Sequence, residues 1–407
     1  MKTRRGIRSG VEFLIVGICT FTFALTAVGI CVSVLGSDVV GTHDFAAYWA
    51  SGKLLLHHAN PYDRAAILQL ERSVGFPAGI PPLIMRNPPL ALVLAIPLGV
   101  LGPRTGSLVW FLLSLCCLLA SVRMVWVMHG RPKDHLDLLG YSFVPVLACL
   151  LAGQMSLLIL LGLVLFIHWH RGQPFLAGLA LWLCMLKPHL FLPFGVVLLA
   201  WAIATRAYRI FGGLAFAVGV STGIVWILDP LAWAQYWEMY RGESMGTMTP
   251  CLSILLRHSY SPSSVWLQFV PSVIGCIWAL GYFLQHRHHW DWLKHGSPLM
   301  LVSVLVAPYS WFYDQAILVP ALLHGIYETR SRNLIAVVAL ASAAVEIGSL
   351  GGMGLLYSKF FLWTAPAWLA WYLLATSSRF AKGSDGLFNL QSQGDSLGSL
   401  TAIVPHN

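Results

Sequence analysis

The amino-acid sequence predicts an all-α polytopic membrane protein of about twelve transmembrane helices, with short surface helices in a long first extracytoplasmic loop. Three observations carry that expectation. Hydrophobic residues fill 57% of the 407 positions and charged residues only 10%, where a soluble domain carries about 25% charged residues. The apolar residues are gathered into runs of roughly 8 to 23, several of them long enough to reach across a bilayer. The 25 Lys and Arg sit in small clusters between those runs, as the positive-inside rule requires.

The first run, Phe13 to Leu35, follows Lys2, Arg4, Arg5 and Arg8. At about 23 residues it is too long for the apolar region of a signal peptide and matches a ~30 Å hydrocarbon core, so it reads as a retained anchor behind a cytoplasmic tail. That tail is residues 1–12. A mixed segment, Gly36 to Asn87, forms the first extracytoplasmic loop. Within it Asp44 to Leu56 and Asp63 to Val74 carry apolar residues at helical spacing, which predicts two short helices on the membrane surface. The turn Asn60-Pro61-Tyr62-Asp63 divides them. Pro81-Pro82 and Asn87-Pro88-Pro89 cannot extend a helix, and they set an extended entry to the run Leu90 to Leu101. That run is about a dozen residues, too short to cross, and is read as re-entrant.

Eleven further runs follow: Ser107–Val127, Leu139–Ala152, Ser156–Trp169, Phe175–Leu186, His189–Ala204, Ile210–Leu228, Ser264–Leu284, Leu299–Val306, Gln315–Tyr327, Leu334–Leu350 and Tyr357–Thr376. With twelve crossings, Arg4/Arg5, Arg131/Lys133, Arg171, Arg206/Arg209, Arg287/Lys294, Arg330/Arg332 and Arg379/Lys382 all fall on the cytoplasmic side. Asp44, Gln154, Lys187-Pro188-His189, the second large loop at 229–262 and Pro308 to Asp314 fall opposite. Both termini are then cytoplasmic, residues 13–376 form one transmembrane domain, and residues 377–407 form a tail expected to be disordered. Runs of about 13 residues reach only ~20 Å, so the pairs meeting at Gly153-Gln154 and at Lys187-Pro188 stop below the outer surface and floor a wet recess there.

Composition also excludes function classes. The net charge of +9 is spread over loops and forms no basic stripe with stacking aromatics, so nucleic acid is not a partner. Seven of the eight cysteines lie inside apolar runs and no Cys-x-x-Cys occurs, which leaves neither a disulfide framework nor a zinc site. His168/His170 and His286/His288/His289 fall on the cytoplasmic side, and no metal is assigned.

The candidate functional residues are the polar ones gathered on the extracytoplasmic face. Asp44 either caps the helix that follows it or serves as a catalytic carboxylate. Lys187, in an otherwise apolar stretch, requires a partner, either an anionic phosphate or a carboxylate such as Asp314. His189 bonds the same phosphate or caps a helix, and Gln154 satisfies bent backbone or touches substrate. Arg86 clamps phosphate with its fork or snorkels to headgroups. Tyr309, Trp311 and Tyr313 form an interfacial belt or a sugar platform.

Asp44 with Tyr48-Trp49, Asn60-Pro61-Tyr62-Asp63, Asn87-Pro88-Pro89, Gly153-Gln154, Leu186-Lys187-Pro188 and Ser310-Trp311-Phe312-Tyr313-Asp314, in this order, resemble glycosyltransferase family 87 of the GT-C superfamily. The resemblance runs from about Val11 to Thr376, and Arg86 stands where the family pattern has an aromatic. It implies a GT-C-like fold in the plasma (inner) membrane. It further implies transfer of a hexose or pentose, a mannose-like sugar being favoured in a family that covers different sugars, from a polyprenyl-phosphate-linked donor to an envelope lipid or glycan on the outer face. No nucleotide, metal or other cofactor is implied; the partners are donor, acceptor and membrane lipids. Carried onto this sequence, the resemblance makes Asp44 the catalytic base and Lys187, Arg86 and His189 the phosphate ligands. His43, Tyr48, Asn87, Gln154, Tyr309, Tyr313 and Asp314 then line the substrate. One carboxylate suffices for such a transfer, because a phosphate leaving group held by cations needs no proton.

Two other classes compete. A secondary transporter would place its polar residues near mid-membrane on interrupted helices and repeat its halves; here they gather at one face and the first loop has no counterpart. A non-catalytic scaffold for envelope assembly would not need Asp44 and Lys187 together.

Overall fold

A computed structural model describes residues 2–36, 43–76, 79, 81–242, 251–349 and 359–379, with the backbone alone of residues 2–9, 11, 12, 14, 30, 32–36, 43, 242, 348, 349 and 359. Among the described residues 80% are helical, and no strand occurs. In order the helices are α1 (Lys2–Gly36), α2 (His43–Leu56), α3 (Arg64–Ser73), α4 (Leu92–Val100), α5 (Pro103–Met128) and α6 (Leu138–Tyr141). They continue with α7 (Val144–Ala152), α8 (Ser156–Trp169), α9 (Pro174–Cys184), α10 (Leu192–Thr205), α11 (Arg209–Leu228) and α12 (Ala232–Gly242). The last six are α13 (Leu252–Tyr260), α14 (Val270–His286), α15 (Trp292–Leu305), α16 (Val319–Glu328), α17 (Arg332–Ser349) and α18 (Thr364–Thr376).

Among the described residues four helical stretches are long and apolar enough to cross a membrane: Pro103–Met128, Pro188–Thr205, Arg209–Leu228 and Val265–His289. Six others, Ile15–Gly29, Pro89–Val100, Leu138–Ala152, Ser156–Trp169, Pro174–Cys184 and Phe360–Thr376, are apolar but only 10–17 residues long. Large apolar side chains point outward from α11 and α14, among them Trp226, Ile227, Ile274 and Ile277, as on a surface solvated by lipid. At the centre α8 is buried nearly all round, through Leu157, Ile159, Leu160, Leu163, Val164 and Phe166, between α5, α9 and the 3-10 turn Phe312–Leu318.

Two elements begin earlier than hydropathy predicts. Helix α1 starts at Lys2, so the expected tail of residues 1–12 is helical from its second residue, continuous with the apolar run. Helix α15 starts at Trp292, seven residues before the expected run at Leu299, because Asp291 caps it: its carboxylate accepts from Leu293 N at 2.9 Å and Lys294 N at 3.0 Å. A hydropathy window cannot see a cap. Residues 37–42 of the first loop, 243–250 of the second, Leu350 and 351–358, and the tail beyond Arg379 lie outside the described residues.

The surface helices are built as their turn chemistry dictates. Asn60 Oδ1 accepts from Tyr62 N at 2.8 Å, and Asp63 Oδ1 caps α3 by accepting from Ala65 N at 2.8 Å and Ala66 N at 3.1 Å. Ser51 donates to the Pro61 carbonyl at 2.9 Å and ties this turn back to α2. Helix α2 crosses α4 backbone against backbone at Gly52 and Gly99. A Cβ at Gly52 would overlap the Ala95 carbonyl, and one at Gly99 would overlap the backbone of Gly52 and Lys53. Pro89–Val100, with Pro97 inside it, is about 18 Å long and reaches little more than halfway through a ~30 Å core.

Candidate functional site

Six segments converge on a recess of about 170 Å³, room for on the order of ten waters. Its wall includes Asp44, Tyr48, Arg86, Asn87, Gln154, Lys187, His189, Tyr240, Tyr309, Trp311 and Tyr313.

Helix α2 brings Asp44 in its first turn, and Tyr48 follows one turn later. Below them the α7–α8 bend turns on Gly153 at φ +67°, a left-handed conformation that a side chain resists. Trp110 Nε1 donates to the Gly153 carbonyl at 2.7 Å, and Gln154 N donates to Cys149 O at 3.1 Å, so the bent backbone is satisfied. The Gln154 side chain is thereby left to other work. Its Nε2 donates to Asp44 Oδ2 at 2.6 Å and to Tyr313 Oη at 3.2 Å; its Oε1 accepts from Tyr48 Oη at 2.9 Å and from Lys187 Nζ at 2.9 Å.

Lys187, just past α9, also donates to Asp314 Oδ1 at 2.6 Å. Asp314 is fully buried and accepts further from Ser156 Oγ at 2.8 Å and Trp311 N at 2.9 Å. Both of its oxygens are thus committed, and a buried ion pair needs such partners to persist. Two of the three ammonium donors of Lys187 are used this way. Tyr309 accepts a hydrogen bond from Trp311 Nε1 and meets the His189 ring edge-on at 5.5 Å. His189 Nε2 is buried without a hydrogen-bond partner among the described residues, a state that polar groups rarely keep in the absence of ligand or water.

The remaining wall is the extended segment 81–88. Its prolines lack N–H groups, so side chains from elsewhere hold its backbone. Glu71, buried on α3, accepts from Leu83 N at 3.1 Å, and Tyr240 donates to Arg86 O at 3.3 Å. Asn87 Nδ2 donates to Leu186 O at 2.8 Å.

Burial among the recess walls lifts Asp44 to about 6, opposed by its bond from Gln154 and by the charges of Lys187 and Arg86, and aided by the charge of Asp314. Asp44 is therefore a carboxylate that titrates just below neutrality, where a general base is useful.

Of the residues named from sequence, Asp44, Tyr48, Arg86, Asn87, Gln154, Lys187, His189, Tyr309 and Tyr313 line this one recess. Asp314 does not: it lies behind Lys187 with no exposure, because three donors hold it there. The His43 side chain lies outside the described residues. Sequence reading missed Tyr240, Glu71 and Ser156. Tyr240 belongs to an aromatic stripe, Trp233, Tyr236, Trp237 and Tyr240 on α12, whose spacing signals only a one-sided helix; the other two carry no local signal.

The family model for glycosyltransferase family 87 matches residues 86–345, more than half of the chain. That range holds every recess residue named above except Asp44 and Tyr48, which precede it. No curated protein and no solved structure matches the chain. With apolar helices long enough to cross a bilayer and a family match of this extent, the chain belongs to glycosyltransferase family 87 and is a membrane glycosyltransferase.

Proposed function

We propose that this chain transfers a sugar, a hexose or pentose with mannose favoured, from a polyprenyl-phosphate-linked donor to a lipid or glycan acceptor on the outer face of the plasma membrane. One observation carries the proposal. A carboxylate and an ammonium stand at the two ends of a single amide, Asp44–Gln154–Lys187, on the wall of one recess. The acceptor hydroxyl oxygen attacks the anomeric carbon, the bond from that carbon to the phosphate oxygen breaks with its electrons leaving on the phosphate, and the hydroxyl proton passes to Asp44. Lys187, with Arg86 and the unpaired His189 Nε2 in the same wall, stabilises the departing phosphate by charge and hydrogen bonds. Inversion at the anomeric carbon follows from a single displacement.

Purified protein incubated with a panel of polyprenyl-phosphate sugars is expected to consume at least one of them when an envelope lipid acceptor is supplied. The rate should fall as pH drops through about 6, where Asp44 takes up its proton. Consumption of nucleotide sugars alone would refute the donor class. The proposed topology has twelve crossings, cytoplasmic termini and an extracytoplasmic recess. Ser263, exposed beyond α13, tests it. In a background with Cys31 and Cys116 replaced by Ser, Ser263→Cys is expected to react with an impermeant thiol reagent in intact cells. Protection until the membrane is opened would reverse the orientation.

A further inference from the structure

Resting on that reading of the recess, we propose that Gln154 is a positioning residue whose amide holds Asp44 in its ionised, base-competent form and at a set distance from Lys187. The chemistry of its partners determines which way the amide points. An ammonium can only donate, so the atom facing Lys187 is Oε1, and the atom facing the Asp44 carboxylate is the donor Nε2. Tyr48 must then donate to Oε1, and the Tyr313 oxygen must accept from Nε2. Both lone pairs and both N–H groups of the amide are thereby used. A primary amide is the one side-chain group that supplies two donors and two acceptors with no net charge. A carboxylate at this position would repel Asp44, and an ammonium would repel Lys187. Asn, one methylene shorter, would not span the same four partners.

The position of Gln154 supports the same role. It follows the left-handed Gly153, its own backbone is satisfied within the bend, and it is almost fully buried, so the side chain has no competing partner in water. Among the described residues it is the one side-chain donor to Asp44. The other charged or titratable groups around that carboxylate are Arg86 in the extended wall, Lys187 just past α9, Asp314 behind it, Tyr48 on the same helix, and Tyr240, Tyr309, Tyr313 and His189 in the recess wall. The amide also stands between the base and the cation that receives the phosphate, so that Lys187 does not pair directly with Asp44.

The test is the acid limb of the pH–activity profile, measured from about pH 5 to about pH 9 on purified wild type, Gln154→Glu and Gln154→Met. Gln154→Glu removes the donor and places a second negative charge beside Asp44, so the limb is expected to move up by about one pH unit or more. Gln154→Met removes the donor to Asp44 and the acceptor for Tyr48 and Lys187 without adding a charge, and the limb should move the same way by less. A merely structural amide would lower the amplitude of both profiles and leave the limb where it is, and that result overturns the proposal. Collapse of both variants on size exclusion in detergent overturns it as well, since the amide would then be a structural tie. Failure of the underlying reading looks different: wild type itself would transfer no sugar. A wild type that transfers, an Asp44→Asn variant that does not, and unmoved limbs in both Gln154 variants would reject the positioning role alone.

Discussion

Asp44→Asn is expected to lower turnover by at least ~10²-fold while donor binding and thermal stability stay near wild type. Asn is a suitable probe because it removes one property. It has the shape of Asp, caps a helix about as well, and offers an oxygen that can keep the 2.6 Å bond from Gln154 Nε2. What it loses is the capacity to take a proton from the acceptor. If Asp44 served only to begin α2 and to fill the bond to Gln154, the Asn variant would transfer sugar at close to the wild-type rate. That outcome would remove Asp44 from the centre of the reaction. Asp44→Ala would disturb the amide as well as the base and would separate nothing. Turnover and melting temperature from one detergent preparation give the comparison directly.

The second large effect lies at Lys187, where the 2.6 Å pair with fully buried Asp314 makes a single substitution ambiguous. Lys187→Ala alone leaves a buried carboxylate without its cation, a change that costs about 3–5 kcal/mol of stability whatever the role of the lysine. The informative variant is Lys187→Met with Asp314→Asn. It removes both charges and leaves an amide whose oxygen can accept from Trp311 N and whose Nδ2 can donate to Ser156 Oγ, a hydroxyl able to accept as well as donate. Replacing a buried pair by uncharged groups of similar volume is often neutral for stability. We expect the double variant to fold with a melting temperature near wild type and still lose ~10²-fold or more in turnover, with weakened donor binding, because the leaving phosphate has lost its ammonium. Recovery of activity along with stability would show that Lys187 serves Asp314 and not the donor.

Much of the recess was legible because a membrane chain can keep few polar residues at depth, and each one it keeps stands out against the apolar runs. Asp44, Gln154 and Lys187 were conspicuous for that reason. Short runs on either side of Gly153 and Lys187 also pointed to helices ending early. What was not legible is how the polar residues are shared out. Gln154 bonds Tyr48, Asp44 and Tyr313 across 106, 110 and 159 residues of chain, and no local pattern encodes contacts at such separations. Asp314 was named as a possible carboxylate partner of Lys187, and the two do pair, but it sits in an aromatic string with no helical period to tell inward from outward, so its removal from the recess wall could not be read. The start of α15 was hidden by Lys294 and His295, which lower the local hydropathy, although Asp291 three residues earlier was a capping signal that could have been used.

The backbone-to-backbone crossing at Gly52 and Gly99 bears on how substrate can reach the base. With no side chains between α2 and α4 there is no soft layer to compress, so the two helices are held as one stiff piece. Asp44 rides on that piece and cannot lean toward an arriving acceptor. The opposite wall is different in kind: segment 81–88 is in no helix and is tied at separate points, Leu83 N to Glu71, Arg86 O to Tyr240, and its own Asn87 amide to Leu186 O. One side of the cleft is therefore an anvil and the other a curtain, and any widening of the recess is expected at the curtain while the carboxylate stays still.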